Sequence, residues 1–378
     1  IIYHYDDDPL HMVDITNILT DGYTLSVQRN HIPTMQCKIR LRALLQICDM
    51  QSIDISDFLC EWFSKVEVIV DGDYQFGGVL GSYPDFTGKS LDSDISLTFQ
   101  GFLGLLQGGE IEPVQVLTGR LDSILSSQVM GIIGVSERGR ARYPISIGHA
   151  DALPAVTWTV DNELNGYTFV TQRCDNSDGS GNFDINVTPT GVFEIWQHYG
   201  SDISASTILQ VGGSASNVED FDFPEWNKYY TDVILSGAGN GYGAQGTTLT
   251  ARAYNAQSRA RHYYYCHVAQ DSSISNQQTL DNAATKLLKY ASTPSATPTV
   301  TINSTRLGLR VREHAQNGDI WVGDTIRIIT SGIYSHYPLY DNGLYRIDKM
   351  DITVSGLGVT VVKMQMISPT GDDVSVAG

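Results

Sequence analysis

The run Val66-Glu67-Val68-Ile69-Val70-Asp71-Gly72-Asp73-Tyr74-Gln75-Phe76-Gly77-Gly78-Val79-Leu80 carries two strand patterns around an Asp-Gly pair. The stretch Val66–Val70 alternates side-chain character at period two, the mark of a half-buried strand. Asp-Gly supplies the positive φ angles of a tight hairpin turn, so the chain reverses at Asp71-Gly72 and returns along Tyr74–Leu80. Outward from this hairpin, Tyr23–Val27, Cys37–Leu41 and Asp94–Phe99 alternate in the same way. The short intervals between them predict a meander or a small barrel, and a first domain over 1–109 that closes at Gly108-Gly109.

A middle domain is expected over 110–228. Leu121, Ile124, Leu125 and Val129 recur at helical spacing, which predicts a short helix over Arg120–Met130. Tyr167–Thr171, Phe183–Val187 and Gly191–Trp196 read as strands separated by turn-rich segments. In the last region, 229–378, strands are expected at Tyr230–Ser236, Thr247–Ala253, Val300–Ile302, Leu307–Val311, Thr325–Ile329, Tyr345–Asp348 and Val359–Met364. A helix is expected over about 276–291, because Leu280, Ala284, Leu287, Leu288 and Ala291 share one face and Pro294 follows as a stop. The fold class is therefore α+β and predominantly β.

The bulk numbers exclude several function classes. A chain of 378 residues implies two to four domains, and 42% hydrophobic against 17% charged residues describes a folded protein. No stretch approaches the roughly 18 apolar residues of a membrane span. The opening Ile1–Pro9 has neither a basic nor an apolar leader segment, so no signal peptide is expected there. Cys37, Cys48, Cys60, Cys174 and Cys266 are odd in number and lack C-x-x-C spacing, which suits reduced thiols in a protein made in a cytoplasm. A net charge of -18 argues against sequence-reading contact with a phosphate backbone, and leaves room for DNA to slide past without sticking.

Candidates for chemistry are few. Cys266 and His267 sit side by side, but neighbours in a strand point to opposite faces, so they do not form a nucleophile and base. His149 and Asp151 are two residues apart with no G-x-S-x-G elbow to serve them. Asn176–Asp184 resembles part of a calcium loop, yet its twelfth position is Val187 where a bidentate Glu is needed. The glycines from Gly237 to Gly246 lack the following helix of a phosphate cradle and read as a loop or a close backbone approach. No catalytic, cofactor-binding or metal-binding residue is assigned, no cofactor is expected, and the chain is not read as an enzyme. Tyrosine is the positive signal: Tyr229-Tyr230, Tyr263–Tyr265 and Tyr334, Tyr337 and Tyr340 cluster as an interface or sugar-stacking surface would.

The order of these features resembles the hub proteins at the tail tips and baseplates of bacteriophages. The likeness rests on Arg29 and Ile32-Pro33-Thr34, on Val66–Gly72 running into Phe76–Leu80, and on Ile234–Gly241. It continues with Ala283–Leu288, with Gly318–Ile328 and with the closing strand Tyr345-Arg346-Ile347. The resemblance implies two small β-barrel domains per subunit with peripheral α+β domains, closed as a homotrimeric ring beneath the tail tube. It implies the distal tail protein, the tape-measure protein and a fibre or spike as neighbours, with DNA only in transit and the virion tail tip as location. The main rival is a carbohydrate- or receptor-binding β protein of the virion, and the third reading is a cell-wall hydrolase.

Overall fold

The computed structural model describes residues 1–4, 11–111, 115–134, 144–160, 164–171, 174, 183–222, 230–239, 248–261, 263–271, 274, 276–291, 298–313, 319–336 and 343–367. The first region forms β1 (Ile2–His4), β2 (Met12–Asp14), β3 (Leu19–Gln28), β4 (Thr34–Arg40), β5 (Lys65–Val70), β6 (Asp73–Leu80) and β7 (Asp94–Gly101), adjacent in the order β3-β4-β7-β6-β5-β1-β2. The hairpin turns where expected, with φ of 53° at Asp71 and 89° at Gly72. In β4, buried Met35, Cys37 and Ile39 alternate with exposed Gln36, Lys38 and Arg40, so the period of two is realised as one core face and one wet face. Helix α1 (Leu41–Gln51) buries Leu41, Leu44 and Cys48 at helical spacing, and Ser52 in the left-handed conformation ends it. The short α2 (Ile55–Phe58) sets the Phe58 ring on Tyr3 at 4.9 Å.

The middle region contains β8 (Glu110–Ile111), β9 (Gln115–Arg120), α3 (Leu121–Ile133), β10 (Ser146–Ala150), β11 (Ala155–Val160), β12 (Leu164–Asn165), α4 (Gly166–Thr171), β13 (Asp184–Val187) and β14 (Val192–Trp196). Small sheets β11-β9, β12-β8 and β10-β14-β13 enclose a separate core that includes Leu106, Leu125, Phe169 and Phe193. The helix expected from Arg120 is α3, held at its start by Asp122, whose carboxylate accepts from Leu153 N at 3.0 Å. Tyr167–Thr171 is helical where its β-branched and aromatic residues predict a strand. Asn165 Oδ1 accepts from Thr168 N at 2.8 Å and starts α4, and the consecutive Phe169 and Val170 are both buried, which a half-exposed strand does not allow.

The middle region ends with β15 (Ile208–Val211) and β16 (Asp220–Asp222), and the last region adds β17 (Asp232–Gly239), β18 (Thr248–Tyr254), α5 (Ala256–Arg261), β19 (Cys266–Gln270), α6 (Gln277–Ala291), β20 (Thr299–Asn303), α7 (Ser304–Leu307), β21 (Arg310–Val311), β22 (Asp319–Ile320), β23 (Thr325–Thr330), β24 (Leu344–Val354) and β25 (Thr360–Ile367). The helix expected over 276–291 is α6. A strand over Leu307–Val311 is expected from sequence, but only Arg310–Val311 is extended. Asn303 Oδ1 accepts from Arg306 N to cap α7, and Gly308 at φ 66° ends it. Gly237–Gly239 belong to β17, and at Gly237 a Cβ would meet Ile274 O at 2.6 Å, so this glycine serves a close approach; residues 240–247 lie outside the described set.

The two strand-rich regions are joined edge to edge. Residues Tyr23–Gln28 of β3 pair antiparallel with Lys349–Val354 of β24, giving one 13-stranded sheet ordered β16-β20-β25-β24-β3-β4-β7-β6-β5-β1-β2. Strand β23 hydrogen-bonds to β24 and to β15 as a branch off that path. A single core runs beneath it from Leu25, Met35 and Phe99 to Tyr345, Met350 and Met364. Among the described residues no closed barrel forms, whereas the family resemblance implies two and the strand spacing of the first region allows a meander or a small barrel. Alternation specifies a strand and its buried face but is silent on which edges meet. Strands β17 to β19 form their own three-stranded sheet with α6 on one side.

Candidate functional site

The element that holds the three regions together is a buried ionic cluster. Arg346 on β24 is 1% exposed and Asp184 at the start of β13 is 2% exposed. Arg346 Nη2 donates to Asp184 Oδ2 at 2.6 Å and to Tyr199 O at 2.6 Å, and its Nε donates to Gly323 O at 3.0 Å. The second Asp184 oxygen accepts from Arg29 Nη1 at 2.9 Å, just past β3, and Arg29 Nε reaches Asp348 Oδ1 at 3.2 Å. Tyr199 N also donates to Asp184 Oδ2 at 2.8 Å, and Asn30 Oδ1 accepts from Ile185 N at 2.8 Å. One carboxylate of the middle region is thus gripped by one arginine from each flanking region, with bidentate sharing that charge-assisted bonds favour.

Burial alone would raise the Asp184 carboxyl, but the adjacent Arg346 and Arg29 outweigh it and hold its pKa below the ordinary carboxylate value. A carboxyl depressed on folding contributes stability that is complete above its unfolded pKa of about 3.9 and is lost as pH falls through the folded value. Acid unfolding followed by far-ultraviolet circular dichroism should therefore show stability falling only below about pH 4, and the fall should be shallower in Asp184→Asn. An equal slope in the variant would remove Asp184 from the account.

A second bridge ties the hairpin to the last region. Arg312 pairs with Asp73 on β6 and with Asp319 on β22. Gln75, 4% exposed, accepts from Tyr23 Oη at 2.5 Å and donates to Val311 O at 2.9 Å. The backbone of β6 approaches the middle region so closely that a Cβ on Gly77 would meet Pro189 O at 1.8 Å.

The sequence candidates for chemistry separate in space. Cys266 and His267 are consecutive on β19, and the Cys266 thiol donates to His267 O at 3.5 Å, away from the ring. His149 Nε2 and Asp151 do meet at 2.9 Å, but His149 also stacks on Trp196 at 3.8 Å and Asp151 accepts from Gln197 N, contacts that fasten β10 to the end of β14. The calcium-like loop Asn176–Asp184 lies outside the described residues except for Phe183 and Asp184. Among the described residues no group of three or more His, Cys, Asp or Glu is placed to hold a metal ion, and no helix is long and apolar enough to cross a membrane. Tyr334 packs edge-on against Phe221 and Tyr230 stacks on Tyr265, while Tyr229, Tyr337 and Tyr340 lie outside the described residues.

No family model and no curated protein matches the sequence. Solved structures do match it along nearly its whole length. A tail protein from Neisseria meningitidis MC58 superposes with a TM-score of 0.59 at 16% identity, covering 93% of each chain. The fold is that of phage tail proteins. Prophage tail protein gp18 from Listeria monocytogenes EGD-e gives 0.57 at 12% identity, covering 96% of this chain and 93% of its own. The 43 kDa tail protein of prophage MuSo2 from Shewanella oneidensis gives 0.58 at 10%, covering 93% and 95%. The tail-protein fold therefore includes all three regions, and the Arg29–Asp184–Arg346 cluster is the point where this sequence locks them together.

Proposed function

We propose that the chain is a structural subunit of a phage tail, a hub at the tail tip or baseplate that closes the tail tube. The observation that carries this reading is that three tail proteins match over at least 93% of this chain and of themselves, so the likeness extends to the whole subunit and not to one shared module. Regions 1–109 and 229–378 act as the two barrel-like lobes that each subunit gives to a homotrimeric ring. Region 110–228 stands outside them and lends β15 and β16 to the second lobe. The distal tail protein and tape-measure protein lie on one side of the ring and a fibre or spike on the other.

The role is mechanical and needs no catalytic residue: the ring seals the tube, transmits receptor contact and opens. Its net charge of -18 suits a wall that DNA passes without adhering, and ring closure satisfies sheet edges that a lone subunit leaves open. Assembly takes place in the host cytoplasm, before the subunit is carried in the virion at the tail tip. Cryo-electron microscopy of the purified chain and of tail particles that contain it tests this. The expected image is a threefold ring at the distal end with six lobes around a channel; a monomer with no place in the particle overturns the proposal.

A further inference from the structure

A polar pocket of about 450 Å³ opens where the three regions meet, within the range of about 300–1,000 Å³ usual for ligand sites. Strand β6 lines it with Asp73 and Tyr74, the turn after β13 with Thr188 and Thr190, β14 with Glu194, and the chain after β21 with Arg312 and Glu313. Its walls are already fixed, because Arg312 bonds Asp73 and β6 packs at Gly77 against the carbonyl of Pro189. A ligand therefore meets a preorganised site.

Glu194 is the residue that the fold leaves unanswered. It is only 8% exposed, and its Oε2 accepts from Trp196 Nε1 at 3.1 Å. Among the described residues its other oxygen has no hydrogen-bond partner, and no Lys, Arg or His pairs with the carboxylate. A carboxylate this far out of water normally has a cation beside it. Arg312 does not serve, since its guanidinium is taken by Asp73 and Asp319.

Glu313 stands close by. It accepts from Tyr199 Oη at 2.5 Å and from Asn186 Nδ2, and Asn186 is the cross-strand partner of Glu194. Burial, and then the charges of Glu313 and Glu194, push the Tyr199 hydroxyl well above its ordinary pKa. Both carboxylates thus act on one phenol, which stays protonated and keeps donating.

The lining carries three carboxylates against one guanidinium, a formal charge of -2. That sign repels phosphates and acidic peptides. Among the described residues no group of three or more His, Cys, Asp or Glu is placed to hold a metal ion, so the negative charge is spread for a larger cation. Donors for a neutral sugar are scarce, because Thr188 Oγ1 bonds Thr190 Oγ1 and also accepts from Val192 N. Acceptors in excess of donors suit a group that only donates, and guanidinium and ammonium are such groups. Tyr74, 40% exposed, adds a ring face on which a cation can rest.

We propose that this pocket binds an organic cation, a guanidinium or ammonium head on an alkyl arm, with Glu194 as its principal partner. The head is carried by an Arg or Lys side chain of another protein or by a free polyamine. The site is independent of the ring, because every wall belongs to a single subunit.

Isothermal titration calorimetry on the full chain tests this with acetyl-Gly-Arg-Gly-amide, the same peptide carrying citrulline for arginine, and spermidine. Citrulline keeps the shape of arginine and removes its charge. The arginine peptide and spermidine should bind with millimolar affinity or better, and the citrulline peptide at least about tenfold more weakly. Tighter binding of the arginine peptide assigns the pocket to a partner's side chain, and tighter binding of spermidine assigns it to a free polyamine. Glu194→Gln, which retains an acceptor for Trp196, should weaken both cations about tenfold. Thr190→Lys, at an exposed position, should abolish both by placing an ammonium in the pocket. Asp281→Asn removes one exposed charge from α6, away from the pocket lining, and should leave binding unchanged.

Equal binding of the citrulline peptide, or no binding of either cation, overturns the proposal. So does an equal loss in Asp281→Asn and Glu194→Gln, which would show general attraction to an acidic protein, or displacement of both cations by calcium chloride at equal concentration. Full binding by Thr190→Lys overturns it even where Glu194→Gln does not fold. Binding of a cation by a chain that forms no ring leaves this site standing and removes the hub alone.

Discussion

Asp184→Leu should lower the unfolding free energy by about 3–5 kcal/mol, the cost of stripping a buried charge of its partner. The reason is what remains: Arg346 at 1% exposure keeps only the carbonyl oxygens of Tyr199 and Gly323, and a guanidinium in that position cannot shed its charge. Arg29 fares better because Asp348 still holds its Nε. Replacing both members of the central pair, Asp184→Leu with Arg346→Met, should recover a large part of the loss, since an ion pair and a well-packed apolar pair of similar volume are often close in energy. Urea unfolding of the two single variants and the double variant measures the coupling directly. Additive losses would mean that the cluster acts through packing and not through charge.

That cluster was the least legible part of the molecule. Strand alternation identifies β4 and β5, and helical spacing identifies α3 and α6, because these elements have one buried face each and periodicity reports that directly. Arg346 sits between Tyr345 and Ile347 where β24 is buried on both faces, so no alternation there marks an arginine facing inward. Its partner lies 162 positions away in a different region. No local pattern links them. The β3–β24 pairing was hidden for a related reason: each strand has two edges, and neither residue identity nor spacing states that Tyr23–Gln28 will meet Lys349–Val354.

The failures at α4 and α7 are of another kind. Tyr167–Thr171 and Leu307–Val311 are rich in residues that favour strands, yet an Asn immediately before each helix, Asn165 or Asn303, accepts from a backbone N–H three residues on. The capping residue was present in the sequence both times, and weight placed on it over β propensity would have found both helices. The tyrosine runs did announce exposed surface at 263–265, although Tyr230 and Tyr265 stack on one another and so share the work of fixing that surface.

Two glycines that cap the ionic cluster give the second large effect. Gly200 and Gly323 face each other with φ of 95° and 92°; a Cβ on Gly323 would meet Tyr199 O at 2.5 Å, and one on Gly200 would meet Gly323 C at 2.2 Å. Both contacts are with backbone, which cannot swing aside as a side chain would. Tyr199 O and Gly323 O are also the two carbonyls that Arg346 uses, so any relief of the clash lengthens bonds to a buried guanidinium. Gly323→Ala should therefore cost about 3 kcal/mol or more, combining strained backbone with a weakened charged hydrogen bond. Gly308→Ala supplies the comparison, because Gly308 has φ 66° and nothing within 4 Å of the added Cβ, so its cost should stay near 1 kcal/mol. Equal losses in the two variants would show that backbone conformation alone sets the penalty. A larger loss at Gly323, shrinking when Arg346→Met is added, would place the penalty in the joint between the middle region and the sheet.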